Sequence, residues 1–169
     1  GSSKYDLANV DNAGDIVAVA EGYYASAIGS RINSKYGAST HNDGLIGAYA
    51  YASGQGSAQA AGSLTTAPGA HGYFAYAIGA QLYNEGVIRA VAAAEDGQAL
   101  AIGARVEGAQ DAGAYTWNEG SIYAGASVDS GGAFSTGVRT WSYYGDVSLV
   151  NLGDIAAVAS ASSGGSASA

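Results

Sequence analysis

The chain has 169 residues, 48% of them hydrophobic, and a formal net charge of −8. That charge excludes a nucleic-acid partner, which requires a basic surface, and offers no attraction to an anionic membrane. The absence of cysteine excludes a disulfide framework and thiolate metal sites.

Most of the apolar content is alanine, valine and tyrosine, beside 27 glycines and one proline. Bulky core formers are scarce, so any core must be thin, with backbones close together. No apolar run approaches the ~20 residues of a membrane-spanning helix, and membrane insertion is not expected. Disorder is the alternative for a chain rich in Gly, Ala and Ser, but the apolar residues here are patterned.

Residues 5–14, YDLANVDNAG, match in phase a later stretch, GAYTWNEG. The first complete unit then opens at Asn12, with Gly14 and Ile16 in the pattern N-x-G-x-I, followed by Ala18 and Ala20. A second phrase follows, YYASAIG (23–29), and a looser third, YGASTHN (36–42). The second unit repeats this order with Asn42, Gly44, Ile46, Ala48 and Ala50, then GSAQAAG (56–62). It is the longest unit and carries an extra copy, GYFAYAIG (72–79). The third unit has Asn84, Gly86, Ile88, Ala90 and Ala92, then GQALAIG (97–103) and GAYTWN (113–118). The fourth has Asn118, Gly120, Ile122, Ala124 and Ala126, then GGAFSTG (131–137) and GDVSLVN (145–151). The fifth opens with Asn151, Gly153, Ile155, Ala157 and Ala159 and reaches GGSASA (164–169).

The asparagines recur at about 30–34 residues apart from the longer second unit, a period that marks solenoids, propellers and arrays. Within each phrase the period is two, which is the period of a strand. Alanine alone favours helix, but glycines interrupt the runs and no 3.6-residue pattern appears. A propeller would need four strands per blade and its Trp/His/Asp signatures, which are missing. The expected fold is therefore all-β: one parallel β-helix (β-solenoid) over residues 1–169. Its repeats start near 12, 42, 84, 118 and 151, with about three short strands per ~30–34-residue repeat and an Ala-rich thin core.

Stacking equivalent coils puts Ala18, Ala48, Ala90 and Ala124 in one inward column and the isoleucines in its bulky neighbour. Gly29, Gly62, Gly79, Gly103 and Gly137 are expected where the chain turns or approaches another backbone. Two readings of the asparagines stand open: an amide ladder from coil to coil, or simple Asn-x-Gly turn residues. The acids Asp15, Asp43, Glu85, Glu119 and Asp154 would line one edge. Solvated turn acids are the default there, with structural calcium the alternative, since calcium needs several oxygen ligands. Tyr49, Tyr51, Tyr76 and Tyr123 have outward parity, with Val17, Val19 and Arg89. Among 13 tyrosines, this set is a candidate surface for glycans or host proteins.

The chain carries no pattern of an enzyme. His41 and His71 read as loop residues with no metal-ligand spacing. The acidic pairs repeat along the chain, whereas a catalytic carboxylate pair of the glycosidase kind should break the repeat. No serine or threonine has a base beside it, and no cofactor is expected.

The pattern N-x-G-x-I-x-A-x-A followed by G-x-A-x-A-x-G, over residues 8–169, resembles the repeats of bacterial surface β-solenoids. These are autotransporter passengers and filamentous-haemagglutinin-like adhesins. The resemblance implies a right-handed parallel β-helix displayed outside the cell or on the bacterial surface, with adhesive or stalk roles and no enzymatic residues. The two ends of the chain complete each other in phase. The expected function is a structural fibre, stalk or adhesin segment that stacks on itself end to end. A glycan-binding module is the alternative reading, and a carbohydrate-active β-helix enzyme ranks below both.

Overall fold

A computed structural model describes residues 7–35, 37–67, 79–108, 113–143 and 145–169. The extra phrase at 72–79 lies outside them except for Gly79, as do Tyr76 and His71. Among the described residues there is no helix, and so none long and apolar enough to cross a membrane.

Short and long strands alternate along the chain. The short strands are β1 (Leu7–Asn12), β3 (Gly37–Asn42), β5 (Gly79–Asn84), β7 (Ala114–Asn118) and β9 (Val147–Asn151). The long ones are β2 (Asp15–Asn33), β4 (Leu45–Ala67), β6 (Val87–Gly108) and β8 (Ser121–Ser142). After β9 come β10 (Asp154–Ala161) and β11 (Ser166–Ser168). The short strands form one sheet in the order β1-β3-β5-β7-β9, and the rest form a second in the order β10-β8-β6-β4-β2, with β11 also on β8. Every pairing is parallel, and each strand pairs with its equivalent one coil away. The molecule is a parallel β-solenoid of about four turns.

Each coil joins the first two expected strands into one pairing run. A strand of 22 residues such as β6 would span ~70 Å if straight at about 3.3 Å per residue. It folds over instead. The bend falls near Gly97, where φ is +152°, and its partner Gly131 has φ +121°. The matching bend in β2 and β4 shifts the register between Gly22 and Tyr24 and between Ala52 and Ser57. Because successive coils bend at the same point, the ladder resumes beyond each corner.

The fold-over presses two alanine walls together. Ala48, Ala50 and Ala52 share one core with Ala58 and Ala60, and the same holds for Ala90, Ala92, Ala99 and Ala101 in the next coil. The walls are close enough for a serine to bridge them, since Ser135 Oγ donates to the Ala124 carbonyl at 2.8 Å. Alanine fills both walls except at Val128 and Ser135, because larger side chains facing each other along them would force the backbones apart.

A second core lies between the short-strand sheet and the ends of the long strands. It holds Ile46, Ile88, Ile122, Leu82 and Val106, all fully or almost fully buried. Each such side chain contributes about 2 kcal/mol relative to exposure. A glycine column makes room for the isoleucines. A Cβ at Gly62 would lie 2.5 Å from Ile88 Cγ2, and one at Gly103 would lie 2.6 Å from Ile122 Cγ2. Gly79 does not belong to that column. It opens β5 in register with Gly37, yet it has the expected character, with φ +76° and a Cβ that would collide with the Gly113 carbonyl.

Candidate functional site: the asparagine turn and its outer edge

Between each short strand and the following long one the chain makes a sharp turn at Asn-x-Gly. The five asparagines are in register, Asn12 with Asn42, then Asn84, Asn118 and Asn151. Each side chain points inward. Asn42, Asn84 and Asn118 are fully buried. Their amides form a continuous ladder: Nδ2 of Asn12 donates to Oδ1 of Asn42 at 2.8 Å, Asn42 to Asn84 at 2.8 Å, Asn84 to Asn118 at 2.7 Å, and Asn118 to Asn151 at 2.7 Å. The same Nδ2 also closes its own turn by donating to the glycine carbonyl two residues on, as from Asn42 to Gly44 at 3.1 Å. The two readings of the asparagine are thus a single arrangement, with one amide hydrogen for the turn and one for the next coil. The turn glycines stack as tightly. A Cβ at Gly86 would collide with the Gly44 carbonyl oxygen, and one at Gly120 with that of Gly86.

The acids do not form a single line. Asp43, Glu85 and Glu119 each follow the ladder asparagine directly. Asp15 and Asp154 occupy another column, in register with Leu45, Val87 and Ser121, and so lie at opposite ends of it. Glu119 is engaged by the indole of Trp117, whose Nε1 donates to it at 2.8 Å. That leaves Asp43 and Glu85, and a residue not expected beside them. His41 lies on β3, one position before the ladder asparagine, in register with Asp11 of the preceding coil and Tyr83 of the next. Its Nδ1 is 3.3 Å from Asp11 Oδ1. Its Nε2 is 3.2 Å from Asp43 Oδ1 and 4.0 Å from Glu85 Oε1. His41, Asp43 and Glu85 can each offer one ligand atom, all within 4.8 Å of one another. The sequence hides this group because Asp11 comes from the coil before His41 and Glu85 from the coil after; only the register brings them to the imidazole.

The tyrosines divide. Tyr49 and Tyr123 are half-buried and flank Arg89, whose guanidinium lies 5.9 Å from one ring centroid and 5.4 Å from the other. The rings lie back over Gly47 and Gly125, where any side chain would meet them. These two therefore serve the outer face of the sheet, each covering a glycine and holding a cation, which is an aromatic's most favourable arrangement at such a site. Tyr51 is exposed. A different aromatic group stands out on the short-strand sheet. Tyr83 and Trp117 are direct partners across β5 and β7, Tyr115 stands two residues before Trp117, and all three are exposed. Trp117 and Tyr115 belong to the loosest of the three phrases, which gave no cue to their facing.

The ladder runs out at the last coil. Asn151 donates to Gly153 at 2.9 Å but, among the described residues, to no further asparagine. Leu149 stands in register with Thr116 and Leu82, yet is 50% exposed where Leu82 is 1% exposed. No family model, no curated protein and no solved structure matches the chain.

Proposed function

We propose that the chain is a structural rod, an extracellular fibre subunit or a stalk or adhesin segment on a bacterial surface, extended by head-to-tail stacking of coils. The observation that carries this reading is the unbroken parallel register, in which every strand pairs with its equivalent one coil away and the buried amides of Asn42, Asn84 and Asn118 link the coils from inside. A second copy would stack by extending the same ladders. The heterologous geometry of such a contact produces open filaments. The extracellular or surface setting rests on the likeness of the repeat to adhesin passengers.

Sedimentation velocity and negative-stain microscopy over a concentration series test the reading. Rods of constant width that lengthen with concentration are expected, and Leu149→Lys should shorten them while leaving the far-UV circular dichroism of the coil unchanged. A stable monomer at every concentration would overturn it.

A second reading, glycan binding, is favoured by the exposed group of Tyr83, Trp117 and Tyr115 on the outer face of the short-strand sheet. Stacking of sugar rings on such a group would be lost in Trp117→Ala, and a glycan array showing no saturable ligand for the native chain would exclude it.

A further inference from the structure

We propose that His41, Asp43 and Glu85 form a binding site for a divalent cation of the zinc class, which clips two successive coils together from outside. The proposal stands independently of end-to-end stacking.

The argument starts from the imidazole. A neutral histidine has one N–H and one lone pair, and which nitrogen carries the proton follows from the bond the other makes. Asp11 Oδ1 lies 3.3 Å from Nδ1 in hydrogen-bonding geometry, a contact that suits the neutral tautomer with its proton on Nδ1 and Nε2 free as a ligand. Nε2 faces Asp43 Oδ1 at 3.2 Å, with Glu85 Oε1 at 4.0 Å. The three ligand atoms all lie within 4.8 Å of one another, a convergence of donors that one bound cation would join.

The distances fit. Two ligands held tetrahedrally at zinc's ~2.0–2.1 Å stand about 3.3 Å apart, close to the separation of Nε2 and Asp43 Oδ1. Glu85 is an exposed side chain, 62% accessible, and a small rotation brings its carboxylate to the same range. A carboxylate on the far nitrogen of a metal-bound histidine is the arrangement that fixes its tautomer and raises its basicity. Asp11 has that place here. An imidazole with two carboxylates selects a borderline metal such as Zn²⁺ over Ca²⁺, which takes oxygen ligands in larger number. The line of acids read as the alternative calcium site is split by the fold, and the group that remains contains a nitrogen. Three protein ligands leave the fourth position open to water or to a donor from another molecule. His41 and Asp43 come from one coil and Glu85 from the next, so the ion would tie coils across the boundary where the buried asparagine ladder ties them from inside.

Isothermal titration of the full chain with ZnCl₂ and with CaCl₂ tests this. One saturable Zn²⁺ per chain is expected, unaffected by excess CaCl₂. His41→Gln and Asp43→Asn should weaken it by at least about tenfold, and Glu85→Gln should weaken it too. His71→Gln should leave it unchanged. Zinc should also shift the imidazole ¹⁵N resonances of His41, with Nε2 as the metal-bound nitrogen. His41, Asp43 and Glu85 are each at least partly exposed, and circular dichroism would show the coil retained. Absence of saturable Zn²⁺ uptake, or equal affinity in the native chain and His41→Gln, would overturn the proposal.

Discussion

Replacing Asn84 by alanine should destabilise the solenoid by about 3–5 kcal/mol, several times the cost of the same change at Asn151. Asn84 is fully buried in the middle of the ladder. It accepts from Asn42 at 2.8 Å and donates to Asn118 at 2.7 Å and to the Gly86 carbonyl at 3.2 Å. Alanine removes both ladder bonds, worth about 1 kcal/mol each in net terms. It also leaves the Asn118 Oδ1 without that donor in a fully buried position, at a cost of about 1–3 kcal/mol. The remaining cavity adds to this. At Asn151 the bond from Asn118 and the turn bond to the Gly153 carbonyl are lost, but the site is exposed and water replaces them, so about 1 kcal/mol is expected. Guanidinium unfolding followed by far-UV circular dichroism measures both variants against the native chain, through the shift in midpoint at constant slope. Equal losses at the two positions, or a loss at Asn84 below about 1 kcal/mol, would refute the view that the buried amide column holds the coils together.

The alanine walls yield a second expectation: Ala90→Leu should cost about 1–3 kcal/mol by overpacking, and a neutral result in the same melt would mean the walls can separate. Ser63 is 1% exposed and its hydroxyl has no hydrogen-bond partner among the described residues. Ser63→Ala should therefore stabilise by about 1 kcal/mol, and a lowered midpoint would show that the hydroxyl is bonded in solution. Gly103→Ala places a methyl 2.6 Å from Ile122 Cγ2 and 2.5 Å from the Gly137 carbonyl oxygen. In a double-mutant cycle with Ile122→Ala its cost should fall but not vanish, because the carbonyl remains; strict additivity would mean the isoleucine does not occupy the glycine's place.

Much of the fold was legible because it repeats. A period of two within the phrases indicates strands, and a period near 30–34 residues between them, without a propeller's signatures, points to equivalent strands stacked in parallel. The columns Ala18–Ala48–Ala90–Ala124 and Asn12 to Asn151 follow from alignment of the copies alone, and the register places them so. Where a local match stood in for the repeat, the reading slipped: GYFAYAIG looks like the second phrase, but its last glycine begins a short strand.

Copy alignment says which residue sits above which. It says nothing of what lies across the core or one column aside, since those neighbours depend on where the coil bends. Three findings come from that cross-section and so from the tertiary structure. The alanines of the first phrase meet those of the second, Tyr49 and Tyr123 close on Arg89, and Asp11, Asp43 and Glu85 converge on His41. The sequence by itself determined the period, the strands and the asparagine column, because each is a property of position along the chain; that the column is an amide ladder came from the structure. The tertiary structure decided which side chains share a site, because a contact between coils is set by the corner angles and the register that the glycines permit.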